Sequence, residues 1–319
     1  MPRWPTSTPL PGAAKSLQRL GLGGMPLSIS VRPDPAEARA LIRHAVESGV
    51  ELIDTADSYA RDDRETGHNE RLIADALREM DMDPAAGLEE AVPIVATKGG
   101  RTRPGGEWAI NGRPEHLRQA CHASLEALGV DRIPLYQLHT PDPDVPFEES
   151  VGALVQLRDE GKIGLIGLSN VSLKQMDTAS ALTPIASVQN RLSVWDAGLR
   201  KPPVVARCAA QGILFMAYAP LGGRERAGSL GDVGPLAALA ESLRVTPQEL
   251  ALAWLFDLDP AIVPIPGATR TSSIDSGLRA LRLELEPHHI RDLRRALRQM
   301  PDRKGVATRI ASKVRRALD

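Results

Sequence analysis

Five ionisable side chains stand at the ends of apolar runs. ELIDTADSY closes on Asp54, Asp57 and Tyr59, VPIVATKGG carries Lys98, and LYQLHT ends in His139. A strand that buries Leu52 and Ile53 has no structural need for Asp54. A buried carboxylate is costly unless a cation meets it, and Lys98 is a matching cation. A phenol titrates near pH 10 and donates its proton poorly at neutral pH. An ammonium beside it stabilises the phenolate and lowers that value, and a carboxylate keeps the ammonium charged and in place. His139 can bond a carbonyl or relay a proton, depending on its own protonation. Asp54, Tyr59, Lys98 and His139 thus make a unit that protonates an oxygen while something else delivers a hydride. No side chain delivers hydride, so a cofactor is implied.

Such a unit needs a scaffold that brings strand ends to one mouth. Eight short apolar runs occur, at LGLGGMPLS, VELIDTADS, VPIVATKGG, RIPLYQLHT, IGLIGLSN, IASVQNRLS, ILFMAYAP and AIVPIPGAT. Helical stretches separate them: PAEARALIRHAVESG, NERLIADALREM, PEHLRQACHASLEALG, FEESVGALVQLRDEGK, LKQMDTASAL, PVVARCAAQG and LAALAESLRVTPQELALAWLF, with SIDSGLRALR after the last run. In LIRHAVESG, Leu41, Ile42, Ala45 and Val46 share a face. Pro35 and Pro114 mark helix starts, and Gly49, Gly129, Gly161 and Gly212 mark ends. Runs too continuous for half-exposed strands, alternating with helices, argue a parallel sheet covered by helices. Eight units in one chain give an α/β fold, a (β/α)8 barrel, as a single domain over residues 1–319. GLGG is not followed by a strand–GxGxxG–helix unit, so no dinucleotide fingerprint is present. Residues 301–319 form a basic tail whose Val306, Ile310, Val314 and Leu318 recur at four-residue spacing. They read as a solvated amphipathic helix packed on the barrel, or as a lid over the mouth or a partner surface.

The net charge of −1 gives no argument for nucleic acid or an anionic membrane as partner. Cys121 and Cys208 fit no metal spacing and read as reduced core thiols, and no His cluster suggests a metal. The start lacks an apolar targeting core and no run could span a bilayer, so the expected location is cytoplasmic. Taken singly, the polar residues have plainer readings. Asp54 and Lys98 could be a structural pair, His139 a satisfied core histidine and Asp57 a loop-stabilising acid. Gln189 and Asn190 could satisfy loop backbone. Trp108, in the loop RTRPGGEWAINGRPE, either faces a substrate or anchors the loop.

Over nearly its whole length the sequence resembles the aldo-keto reductases. IDTADSY, ATKGG, LYQLHTPDP, GKIGLIGLSN, SVQNRLS, MAYAPLGG and PIPGATR follow one another in that family's order. The resemblance implies the (β/α)8 barrel, with Tyr59 as general acid, Asp54 and Lys98 lowering its pKa, and His139 orienting the carbonyl. It further implies that Ser169, Asn170 and Gln189 hold the nicotinamide carboxamide, with Tyr218 against the ring. Met25, Pro220 and Leu221 would flank the cofactor. Gly267 and Ala268 would admit its phosphates, and Arg270 would meet the 2′-phosphate of NADP(H). Ser273, Ser276 and Gly277 stand where many members grip adenine with glutamine, glutamate or asparagine, so a weaker hold on adenine is expected.

The function expected is NADPH-dependent, reversible reduction of a small aldehyde or ketone. Two alternatives keep the same barrel: a cofactor-binding regulatory subunit, or a lyase or epimerase using Tyr59 and His139 for proton transfer alone. The substrate and the oligomeric state are not legible in the sequence.

Overall fold

The structure, a computed structural model, describes residues 3–89, 92–196 and 201–300; the basic tail lies outside the described residues. Eight parallel strands form one sheet: β1 (Leu22–Gly23), β2 (Leu52–Asp54), β3 (Ile94–Gly99), β4 (Ile133–Leu138), β5 (Ile163–Ser169), β6 (Ser187–Arg191), β7 (Leu214–Tyr218) and β8 (Ile262–Ile265). Their order in space is their order in sequence. The sheet closes through Gly21 N–H to Pro264 O (2.9 Å), Gly23 N–H to Pro266 O (3.0 Å) and a parallel bridge between Gly23 and Gly267. This is the single-domain (β/α)8 barrel expected from the eight runs.

Around it lie α1 (Pro35–Glu47), α2 (His68–Arg78), α3 (Pro114–Leu128), α4 (Phe147–Asp159), α5 (Leu173–Leu182), α6 (Pro203–Gln211), α7 (Gly234–Leu243), α8 (Pro247–Leu258), α9 (Thr271–Leu281) and α10 (Pro287–Leu297). Local chemistry sets their ends. The Asp34 carboxylate accepts from Ala36 N–H ahead of Pro35, and Gly129 closes α3 at φ 62°.

The observed elements differ from the sequence expectation in three places. The stretch 236–256 is not one helix. Arg244 turns left-handed (φ 55°), Thr246 is extended ahead of Pro247, and a Thr246–Glu249 capping box starts α8 afresh. The sequence reading also omitted α10, whose Ile290, Leu293 and Leu297 are buried at helical spacing, and an N-terminal hairpin pairing Ser7–Pro9 with Ser16–Gln18.

That hairpin matters for the lumen. Leu10 and Leu17 pack with Leu52, Ile94, Ala96, Leu135, Leu214, Met216, Val263 and Ile265 in a core separate from the one beneath the helices. Strand residues alternate between the two, as the two-residue strand period requires. Arg19, just beyond the hairpin, is fully buried. Its guanidinium donates to the carbonyls of Pro5 (3.0 Å), Phe256 (3.2 Å), Asp259 (2.5 Å) and Ile262 (3.2 Å). Burial lowers its pKa to about 10. Cys121 and Cys208 are buried and unpaired, burial raising both thiols to about 12. Among the described residues no helix is long and apolar enough to cross a membrane, and no His, Cys, Asp and Glu group could hold a metal ion.

Candidate active site

Following the inward positions up the lumen, aliphatic and small residues give way to longer polar ones. Leu52 is succeeded by Asp54, Ala96 by Lys98, Leu135 by Gln137 and Ser187 by Gln189. The register sets Asp54 beside Ala96 and Lys98 beside Gln137. Lys98 is fully buried and its Nζ donates three times: to Asp54 Oδ2 (2.8 Å), Thr55 O (2.6 Å) and Tyr59 Oη (3.1 Å). The other carboxylate oxygen of Asp54 accepts from Gln189 Nε2 (2.7 Å) and, at longer range, Gln137 Nε2 (3.5 Å).

Burial disfavours both charges of this pair, and the two partners shift differently. Desolvation pulls Lys98 down, but Asp54 and Tyr59 more than offset it, and its pKa ends above the usual value. Desolvation raises Asp54, with Lys98 and the two glutamines opposing. The ammonium's direction is the one the geometry supports, because every Nζ proton has an oxygen acceptor.

Tyr59 departs from the sequence expectation. Burial lifts its pKa above the phenolic value; Lys98 pulls it down, Asp54 pushes it up, and Arg101 assists Lys98. The pair therefore limits the rise without producing a net fall. Because Tyr59 Oη accepts from Lys98, its own proton points away from the ammonium. His139 sits edge-on to the Tyr59 ring, 5.7 Å between centroids. Burial, then Lys98 and Arg101, hold its pKa well below the usual imidazole value, so the ring is neutral at physiological pH. Its Nδ1 has no partner among the described residues.

These groups open into a cleft of about 990 Å³ running from Tyr59, His139 and Trp108 past Tyr218 to Ser273 and Ser276. Met25, Ser169, Asn170, Gln189, Tyr218, Pro220, Leu221, Gly267, Ala268 and Arg270 all line it. Several are already engaged. Gln189 spends its amide N–H on Asp54, as above. Asn170, left-handed at φ 58°, donates to His139 O (2.9 Å) and Ser169 Oγ (3.1 Å) and accepts from Tyr218 Oη (2.9 Å). That last bond fixes the half-buried Tyr218 ring against the cleft. Ala219 follows it at φ 47°, a strained conformation of the kind that gathers at binding sites. Asp57 accepts from Ser58 N–H (2.5 Å) in the loop, with burial, then Glu70, raising its pKa well above the usual range.

At the far end, Gly267 faces Pro26 so closely that a Cβ would come within 2.5 Å of Pro26 Cγ. Arg270 is exposed and has no carboxylate partner among the described residues. The Ser276 hydroxyl donates to the buried Glu249 (3.1 Å), which also accepts from Arg279 Nε (2.8 Å). An elongated cleft with a close glycine wall and an unpaired guanidinium fits a phosphorylated dinucleotide. In it, Arg270 would meet phosphate and Tyr218 the nicotinamide. Arg101, which also lines the cleft, was missed in the sequence; the cation directly after ATKGG was the signal available.

A family model of the Aldo/keto reductase family matches residues 19–298. Among curated proteins, the Glycine max protein called Probable aldo-keto reductase 1 is 31% identical over 307 aligned residues, covering 87% of this chain and 84% of that protein. Among solved structures, an aldo/keto reductase from Klebsiella pneumoniae in complex with NADP and acetate is 25% identical with a TM-score of 0.75, covering 93% of this chain and 97% of that one. The glycerol dehydrogenase AKR11B4 from Gluconobacter oxydans shares the fold at 24% identity and a TM-score of 0.77, covering 93% and 97% of the two chains.

Proposed function

The chain belongs to the aldo-keto reductase family, and from that premise we propose that it is an NADP(H)-dependent reductase of small aldehydes or ketones, with Tyr59 as proton donor. One observation carries the reading. Lys98 uses its three protons on Asp54, Thr55 and Tyr59 Oη, so the phenol oxygen is held as an acceptor and its own hydrogen is free for the cleft. NADPH, which a solved structure of an aldo-keto reductase from Klebsiella pneumoniae contains, supplies the hydride when bound. The protein's part is to receive the oxygen. The neutral imidazole of His139 donates one N–H to the substrate carbonyl and fixes its direction. As the carbonyl carbon is reduced, its π electrons move onto that oxygen, which takes the Tyr59 proton to become a hydroxyl. The tyrosinate left behind lies 3.1 Å from a buried ammonium, which stabilises it until solvent returns a proton. In alcohol oxidation the same tyrosinate is the base. Gln189 binds Asp54 and so orients the carboxylate as well as lining the cofactor cleft. Arg270, exposed and without a carboxylate partner among the described residues, favours NADPH over NADH.

The test is nicotinamide oxidation across a panel of aldehydes and ketones, with NADPH and NADH, for the wild type and Tyr59→Phe. Turnover should fall by at least a hundredfold in the variant while NADPH still binds. A Tyr59→Phe protein of undiminished turnover, or a wild type that binds NADPH yet consumes none with any carbonyl, would overturn the reading.

A further inference from the structure

Among the described residues that line the cleft are four arginines, Arg101, Arg224, Arg270 and Arg279, and a single carboxylate, Asp54, already bound to Lys98. Arg279 is neutralised by Glu249, and Arg270 stands at the end assigned to the cofactor phosphates. Arg101 is at the opposite end, in the mouth beside the proton donor. It is half-buried, its Nε donates to Thr140 Oγ1 (2.8 Å), and no carboxylate pairs with it among the described residues. Its charge acts on Tyr59, His139 and Tyr218, the three groups that bound the reaction space. Two other cations near the rim have partners, Arg191 with Asp196 and Arg32 with Glu65.

A second cation adjoins it. Arg101 and Arg103 both lie against the Trp108 ring, their guanidinium carbons 5.5 Å and 4.3 Å from its centroid. Arg103 donates to Arg61 O, but its Nε is buried without a partner among the described residues. Two guanidinium groups lie over one tryptophan ring with no acid paired to either among the described residues, and like charges in a partly desolvated site repel. Trp108 is itself 42% exposed and edge-on to His139, 6.4 Å between centroids. It is thus placed to cover a molecule bound at His139.

We infer that the substrate is an anionic carbonyl compound, its carboxylate or phosphate held by Arg101 and its body covered by Trp108. An acidic group accepts two parallel N–H bonds from a guanidinium fork, relieves the repulsion with Arg103, and fixes the distance from anion to carbonyl. Arg101 is then a specificity residue, acting on binding. This rests on the reductase reading above and deepens it.

The experiment compares 4-carboxybenzaldehyde, 4-formylphenyl phosphate and the neutral 4-(hydroxymethyl)benzaldehyde, which differ only at the para position, in wild type, Arg101→Met and Arg101→Lys. In the wild type kcat/KM for at least one anionic aldehyde should exceed that of the neutral one tenfold or more, the difference residing in KM. Which anion leads distinguishes a carboxylate from a phosphate substrate. In Arg101→Met the anion-to-neutral ratio should collapse to below about threefold, and Arg101→Lys should restore part of it. A wild-type ratio near one, or a preference that survives Arg101→Met, overturns the proposal. Calorimetric binding of benzoate against benzamide to the same proteins reads the site without turnover. Should neither these aldehydes nor any carbonyl of the wider panel be reduced, the reductase reading fails. The anion site then stands if benzoate binding weakens tenfold in Arg101→Met, and falls if it does not.

Discussion

Splitting the Asp54–Lys98 pair should be far more damaging than its share of the surface suggests, and the structure says how the damage divides. Lys98 is fully buried and the Asp54 side chain is 4% exposed, 2.8 Å apart. In Lys98→Met the carboxylate keeps its glutamine donors but loses its cation; stranding one member of such a pair costs about 3–5 kcal/mol. In Asp54→Asn the amide must turn its oxygen to Lys98 or to Gln189, so one donor always faces another donor, at a similar cost. The double variant contains no stranded charge. Its loss should resemble that of one single variant, leaving a coupling of about 3 kcal/mol. Urea unfolding measures this. With m of about 3 kcal/mol/M, each single variant shifts the midpoint about 1 M downward, and the double shifts by little more. The dependence on pH adds a signature. Without Lys98, nothing cationic opposes the desolvation that already raises Asp54. A carboxyl whose folded pKa lies above its unfolded value contributes stability at low pH and loses it as pH rises through the folded pKa. The Lys98→Met deficit should therefore be smaller at pH 5 than at pH 8, and the double variant should lack this trend. Single-variant costs that add to within about 0.5 kcal/mol would refute the coupling.

Two further outcomes follow from groups outside the tetrad. Glu70 is fully buried, and desolvation raises its pKa, the Thr97 hydroxyl (2.5 Å) opposing. By the same sign rule, Glu70→Gln should be close to neutral at pH 5 and increasingly stabilising toward pH 9; a tenfold change in proton affinity corresponds to about 1.4 kcal/mol, and a flat difference across that range would contradict it. Arg244, left-handed at the end of α7, should gain roughly 0.5–1 kcal/mol on replacement by glycine, which takes that conformation freely, readable as a higher melting temperature.

The barrel was legible because its strands are buried on both faces and so read as unbroken apolar runs. What escaped was structure without that signature. The short hairpin that plugs the lumen has only Leu17 and its neighbour Leu10 to announce it. The break at Arg244 depends on a backbone conformation that arginine does not advertise. The tetrad could be read from residue type at strand ends, since nothing in a hydrophobic lumen explains Asp54 or Lys98. Its supports could not. Gln137 lies in the middle of its apolar run, and the Asn170–Tyr218 bond joins residues 48 positions apart. The direction of the Tyr59 shift was misjudged for a related reason, because sequence names the neighbouring charges but not the depth of burial that outweighs them.

The four carbonyls around Arg19 have a consequence for how the molecule is made. Three of them belong to residues 256–262, up to 243 positions downstream. During vectorial synthesis the start of the barrel leaves the ribosome first, yet the acceptors of its buried guanidinium are translated almost last. Until then β1 also lacks its partner β8, so the nascent sheet carries two open edges and an unsolvated landing site for a cation does not yet exist. Closure is thus the most non-local event in the fold and a natural slow step. Truncations ending before residue 256 should stay open and prone to association, whatever the quality of the earlier strand–helix units.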